Sequence, residues 1–372
     1  MHLLVTNDFP PKIGGIQSYL WELWRRLPPD EFVVLTSPHR GAAQWDRGQP
    51  FRVVRTRQPV LLPTPFLRRQ IDRLAREVQA DFVVLDPAVP LGWLGPYLQL
   101  PYAVVVHGAE VTVPGRLPGT RSLLGKVLRG ANLVIAAGGY PAAEAEHAAG
   151  RALPIVNVPP GVDVNRFVPL GPAERGAARA RFDLPAEGRL VVAASRLVPR
   201  KGFDTLIRAS ARLKVSHPDL TVAICGGGRD AKRLGRLADE LQAPVRFLGR
   251  LPDGDMPSVF AMGDVFAMLC RSRWAGLEQE GFGIVFLEAA AAGVAQVAGR
   301  SGGAAEAVLE DETGLVVNRP QDVADVAAAL ARLLDDVGGR TTMGARARHR
   351  AEEHFTYDGL AARLGDALRL LP

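Results

Sequence analysis

Two cysteines, Cys225 and Cys270, are all that the 372 residues contain. Each lies inside an apolar run and neither has a metal-ligand spacing, which excludes a disulfide scaffold and a zinc site and makes a reducing cytoplasm the expected setting. Long apolar runs are missing as well. The stretch from Phe282 to Val297 is interrupted by Glu288 and Gly293, so it reads as a buried helix with a following strand, and no membrane span is expected. Nothing charged precedes the first apolar run, Leu3-Leu4-Val5, which argues against a secretory signal. The chain also has no Walker A loop, no G-x-G-x-x-G fingerprint and no D-x-D motif directly at a strand end, Asp253-Gly254-Asp255 coming several residues after the strand at 245–248. Those absences set aside P-loop kinases, nicotinamide-dependent oxidoreductases and an obligatory divalent ion.

What is present is a rhythm. Short β-branched runs alternate with helical patterns, the signature of parallel α/β units, and 372 residues are too many for one ordinary core. The first half has expected strands at 3–5, 33–36, 52–54, 82–85, 103–106, 133–136 and 155–158. The second has them at 190–194, 220–224, 245–248, 265–269, 295–298 and 315–317. Pro159-Pro160-Gly161 stops a strand and opens a turn-rich linker, so two doubly wound domains are expected, at 1–163 and 164–354. A terminal helix near 355–372, striped by Leu360, Leu364, Leu368 and Leu371, is left to pack back on the first domain or on the second.

The net charge of +6 is unevenly placed. Seven arginines and one acidic residue, Asp72, lie between Arg52 and Arg76. Leu67, Ile71, Leu74 and Val78 share one helical face there, with Arg68, Arg69, Arg73 and Arg76 displaced from it. Either a solvated basic face or a contact surface for anionic lipid fits this pattern, and no nucleic-acid motif accompanies it.

Ligands of open parallel sheets bind beyond the carboxyl ends of strands, so the residues that follow each strand carry most weight. Glu280 and Glu288 are eight positions apart around the Gly281-Phe282-Gly283 turn that opens a helix. The glycines admit close backbone approach, the helix N–H groups suit a diphosphate, and the two carboxylates reach different hydroxyls of one extended ligand. Arg196 and Lys201 flank a proline in the loop leaving the strand at 190–194 and suit the same diphosphate. Gly14 and Gly15 precede a helix expected near Ile16, and His107 stands at the tip of the strand at 103–106. Gly226-Gly227-Gly228 reads either as another ligand approach or as a flexible turn.

With these motifs in order, the chain resembles the retaining GT-B glycosyltransferases of family four over essentially its whole length. The resemblance is carried by residues 5–20, 159–167, 195–202, 270–289 and 301–306. The first and fourth stretches are closest to the actinobacterial phosphatidylinositol mannoside mannosyltransferases. It implies a GT-B fold, two Rossmann-like domains facing a central cleft. Donor contacts are implied at Arg196 and Lys201 (diphosphate), Glu288 (ribose hydroxyls), and Glu280, Phe282, Gly283 and Ile284 (sugar and diphosphate). Base contacts are implied at Arg250, Leu251, Asp253 and Met256. On the other half it implies Gly14 and Gly15 on a phosphate, Asp8 and Gln17 on an inositol acceptor, and His107 on the transferred hexose.

The implied reaction moves mannose from GDP-mannose to a phosphatidylinositol mannoside with retention. The departing diphosphate itself takes the acceptor proton, so the residues expected to drive chemistry are His107, Arg196, Lys201 and Glu280. The implied partners are a nucleotide sugar, a phosphoinositide glycolipid and the anionic inner face of the plasma membrane, reached through the helix at 66–78, with no nucleic acid and no obligatory cofactor. A family-four enzyme using UDP-glucose or another acceptor is the alternative, and a non-catalytic nucleotide-binding protein of this fold is a second. The chain departs from its relatives at Ala109, where a histidine is common, and at Ala295 and Ala305, where prolines are.

Overall fold

The computed structural model describes residues 1–371 and divides them into two units, one of residues 1–161 with 357–371 and the other of residues 162–356. The first unit carries strands β1 (His2–Thr6), β2 (Phe32–Thr36), β3 (Arg52–Arg55), β4 (Phe82–Asp86), β5 (Tyr102–Val106), β6 (Leu133–Ala136) and β7 (Ile155–Asn157). All pair in parallel, in the order β3-β2-β1-β4-β5-β6-β7. The second carries β8 (Leu190–Ala194), β9 (Thr221–Cys225), β10 (Val245–Gly249), β11 (Val265–Met268), β12 (Ala295–Gly299) and β13 (Gly314–Val317), also parallel, in the order β10-β9-β8-β11-β12-β13.

Every residue of β1, β2, β4 and β5 is buried, as expected of strands covered by helices on both faces and built from near-continuous Val, Leu and Phe. Each sheet accordingly separates two apolar clusters, one per face. The strand order reverses between β1 and β4 in one unit and between β8 and β11 in the other. At such reversals the connections leave to opposite faces and open a crevice at the carboxyl ends, where ligands of this architecture bind.

The terminal helix Tyr357–Arg369 belongs to the first unit. Leu360, Leu364 and Leu368 join Leu20, Leu23 and Trp24 in one cluster, and each buried leucine stabilises by about 1.5–3 kcal/mol. Arg26 reinforces the seat through Asp358 at 2.6 Å and through the Tyr357 ring. The terminal segment is not one helix from His354 onward, because Phe355 and Thr356 interrupt it, and Phe355 stays in the second unit's core.

The basic segment forms the helix Pro65–Glu77. Thr64 caps it by accepting from the Leu67 N–H at 3.2 Å, and Pro65 occupies the first turn, where its missing N–H costs nothing. Leu67, Ile71 and Leu74 are buried, while Arg69, Arg73 and Arg76 are exposed along one stripe with Phe66. Arg68 departs from the expected solvent face: its Nη1 reaches Asp72 at 3.5 Å and the Tyr97 carbonyl at 3.3 Å. No helix among the described residues is long and apolar enough to cross a membrane.

Candidate functional site

In the second unit, the chain leaves β8 through Ser195–Val198, makes a 3-10 turn at Pro199–Lys201, and enters the helix Phe203–Leu213 at Gly202. Gly202 has φ +70, and a Cβ there would lie 2.1 Å from the Leu269 carbonyl oxygen. Only glycine lets this turn close on the end of β11. Lys201 is thereby buried, and its Nζ donates to Glu280 Oε2 at 2.6 Å.

Arg200 Nε is 3.7 Å from the same oxygen and Cys270 Sγ donates to it at 3.5 Å. Burial works to raise the pKa of Glu280, but Lys201 and Arg200 outweigh it and hold the carboxyl below the usual range. Burial pushes the Cys270 thiol far up, so Cys270 is a neutral donor there. The Glu280 main chain is fixed to the next loop, its N–H donating to Ser301 Oγ at 3.3 Å and its carbonyl accepting from the Gly303 N–H at 3.0 Å. Lys201 and Glu280 follow β8 and β11, the two strands at the order reversal.

The helix Ile284–Ala291 begins at Gly283, which is left-handed, and no side chain caps its first N–H groups. One turn in lies Glu288, on the same face as Ile284 and half-buried. Burial raises its pKa to about 7; Arg166 acts against the rise and Asp253 with it. Among the described residues its carboxylate has no hydrogen-bond donor, so it can accept from a ligand hydroxyl.

The remaining donor-side residues divide. Arg196 is exposed and forms no ion pair among the described residues. Arg250 is exposed and lies over Gly227, where a Cβ would meet its Nε at 2.6 Å. Leu251 and Met256 are half-buried, with the Met256 sulfur 3.9 Å from Cys225 Sγ. Asp253 is an exposed partner of Arg166 at 2.6 Å, so any contact with a base has to compete with that pair. The Phe282 ring is 5% exposed and packs on Phe355, which leaves only its main chain to meet a ligand. Gly226-Gly227-Gly228 is not a loose turn: the Gly227 carbonyl accepts from the Leu197 N–H at 3.0 Å, packing it on the loop that holds Arg196.

In the first unit a hydrogen-bonded chain links the segments after β1, β4 and β5. Asp8 Oδ1 accepts from Gln17 Nε2 at 2.5 Å and from Lys12 Nζ at 2.7 Å, and the Asp8 N–H donates to Thr6 Oγ1 at 2.8 Å. Thr6 Oγ1 donates to Asp86 Oδ2 at 2.6 Å, and Asp86 Oδ1 is 2.6 Å from His107 Nε2. The edge of Tyr19 holds the imidazole from one side, with ring centroids 5.5 Å apart. Burial works to lower the pKa of His107, but Asp86, with smaller help from Glu110 and Asp8, raises it. Glu110 receives the main-chain N–H groups of His107 and Gly108, which fixes the loop. The helix Gly15–Trp24 starts one residue before Ile16, with Gly14 at its uncapped N-terminus.

The structure thus joins Asp8, Gln17 and His107 in one network and Lys201 with Glu280 in another. Motif reading passed over Asp86, Thr6 and Arg200. Asp86 had a legible signal, an acidic residue closing an otherwise apolar strand.

Comparison with known proteins bears on what this arrangement serves. Residues 174–350 match the model of glycosyl transferases group 1, and residues 13–166 that of Glycosyltransferase Family 4. The GDP-mannose-dependent alpha-(1-6)-phosphatidylinositol monomannoside mannosyltransferase of Mycobacterium tuberculosis is 41% identical over 99% of this chain and 97% of its own. The GDP-mannose-dependent monoacylated alpha-(1-6)-phosphatidylinositol monomannoside mannosyltransferase of Corynebacterium glutamicum is 38% identical over 100% and 98%. In fold, the chain is similar to Anabaena HepE in complex with UDP, with TM-score 0.82, 22% identity and 99% of each chain covered. Sucrose-phosphate synthase of Thermosynechococcus elongatus is similar at TM-score 0.78 and 22% identity over 100% and 98%.

Proposed function

We propose, because this chain belongs to the family-four GT-B glycosyltransferases and among them to the family of the phosphatidylinositol monomannoside mannosyltransferases, that it transfers mannose from GDP-mannose to a phosphatidylinositol monomannoside. The bond formed is α-1,6, with retention at the anomeric carbon. The observation that carries this reading is a likeness running end to end through both units, so that the donor half and the acceptor half are matched together.

The chemistry is leaving-group stabilisation. As the bond from the anomeric carbon to the β-phosphate oxygen breaks, charge collects on the diphosphate. Lys201, held by Glu280, and the uncapped N–H groups at Ile284 meet that charge without having to reorganise, and Arg196 adds its charge from the exposed loop. Glu280 sets where the Lys201 ammonium stands and offsets part of the positive charge that Lys201 and Arg200 bring together. The acceptor hydroxyl attacks from the face the diphosphate leaves and gives its proton to a diphosphate oxygen, so no protein base is consumed. Glu288 accepts from the ribose hydroxyls.

On the acceptor half, Gly14 and Gly15 present main-chain N–H groups to the inositol phosphate, and Asp8 and Gln17 hold the inositol. His107, with Nε2 committed to Asp86, offers its other nitrogen to the hexose. The stripe Arg69, Arg73 and Arg76 brings the protein to the anionic inner face of the membrane, from which a lipid acceptor is taken.

The test is to incubate the protein with GDP-mannose and phosphatidylinositol monomannoside and to determine the product linkage by NMR. An α-1,6-linked dimannoside is expected. A β-linked product, or mannose at another hydroxyl, overturns the reading.

A further inference from the structure

A cavity of about 620 Å³ lies in the first unit among the helix Pro65–Glu77, the 3-10 segment Leu91–Tyr97 and the helix Thr120–Gly130, and the transfer chemistry makes no use of it. Pro65, Leu94, Pro96, Leu123 and Val127 wall it. Its charged lining residues are Arg68 and Lys126, with no acidic residue among them. Both cations gather on Tyr97: Arg68 Nη1 donates to its carbonyl at 3.3 Å, and Lys126 Nζ lies 3.4 Å from its hydroxyl and 5.0 Å from its ring centroid. Tyr97 is 59% exposed, and Leu62, Phe66 and Leu123 extend the exposed apolar surface.

We propose that this cavity takes one acyl chain of an anionic phospholipid, with the lipid phosphate at Arg68 and Lys126. Charge selects the head group, because the ions that line the cavity are two cations: Lys126 has no acidic partner among the described residues, and Arg68 has only Asp72 at 3.5 Å. Chemistry selects the chain. Proline and leucine walls offer no partners for the amide groups of a peptide, which would be buried unpaired at a cost, whereas an acyl chain has no hydrogen bonds to lose. The volume falls in the range of cavities that enclose a small ligand. Trp93 and Tyr97 at the edge are the residues that favour the boundary between water and hydrocarbon, and the Arg68 and Lys126 stems can lie along apolar surface while their charges stay wet. The proposal is independent of donor and acceptor identity.

The experiment titrates the full chain with lysophosphatidylglycerol below its micellar concentration, comparing dodecanoyl and tetradecanoyl forms by calorimetry. One molecule is expected to bind per chain, about tenfold or more tightly for the two added methylenes, and the chain-length effect is expected to persist in about 0.5 M salt, where surface charge is screened. Leu123→Trp, which fills the cavity from an exposed position, is expected to weaken binding at least tenfold with an unchanged circular dichroism spectrum. Lys126→Gln is expected to weaken lysophosphatidylglycerol more than lysophosphatidylcholine. Absence of saturable binding, or indifference of a folded Leu123→Trp variant, overturns the proposal. So does a dimer in solution that Leu123→Trp splits, since the cavity would then belong to a second copy of the chain.

Discussion

Asp86 Oδ1 lies 2.6 Å from His107 Nε2, and Asp86 is fully buried. The carboxylate sets the ring's orientation and favours its protonated form, while Thr6 and Asp8 tie the pair to the segment after β1. Because the folded pKa of His107 is raised above the ordinary 6.5, this stabilisation is complete below that value and is lost as pH rises through the folded one. Asp86→Asn is expected to lower the His107 pKa, read by NMR titration of the ring, and to reduce turnover more than donor affinity. Asp86→Ala is expected to cost about 3–5 kcal/mol by leaving a buried partner unpaired. A His107 titration unchanged in Asp86→Asn would show that the pair does not set its protonation.

Lys201→Ala is expected to lower turnover by about a hundredfold or more, the size of losing one preorganised stabiliser of developing charge. The same change strips Glu280 of its partner. In the wild type Glu280 has a depressed pKa, so its contribution to stability is present above the ordinary carboxylate value and is lost as pH falls through the folded one. The variant's melting temperature is therefore expected to lose that acid-side fall. Wild-type kinetics in a folded Lys201→Ala variant would contradict the role.

Glu288 gives a pH dependence of the opposite sense. Its folded pKa is about 7 against an ordinary 4.5, so the free protein loses stability as pH rises between those values. Accepting from ribose hydroxyls needs the ionised form. Donor affinity is expected to rise with pH through about 7, with proton release in calorimetry. Glu288→Gln is expected to flatten that profile and to cost about 1.5–3 kcal/mol of binding. A wild-type affinity independent of pH would remove Glu288 from the donor site.

Charge reversal at Arg69, Arg73 and Arg76 is expected to weaken binding to vesicles containing phosphatidylglycerol by more than about tenfold per residue, since each loses an attraction of about 1 kcal/mol and gains a repulsion. Added salt is expected to shrink the difference, and GDP-mannose affinity is expected to stay unchanged. Equal sedimentation with vesicles before and after the change would make the stripe an ordinary solvated face.

The architecture was legible because both sheets are parallel and buried on two faces: runs such as Phe82–Leu85 and Leu190–Ala194 declare themselves without alternation. The loop motifs were legible where glycine is obligatory, as at Gly202. Side-chain engagement was not. Phe282 sits in a motif that suggests ligand contact, yet its ring serves the core beside Phe355. Arg68 shares a helix with three exposed arginines but is drawn in by Asp72 and Tyr97. Asp86 lies 21 positions from His107, and only the pairing of β4 with β5 brings them together. Such partnerships depend on strand order, which the local pattern of a chain does not encode.

The most direct measurement is transfer of label to phosphatidylinositol monomannoside by the purified protein, run in parallel with GDP-mannose, UDP-glucose and UDP-N-acetylglucosamine. Labelled dimannoside from GDP-mannose, with little or no product from either UDP sugar, is the result the account predicts. Turnover confined to a UDP sugar would contradict it.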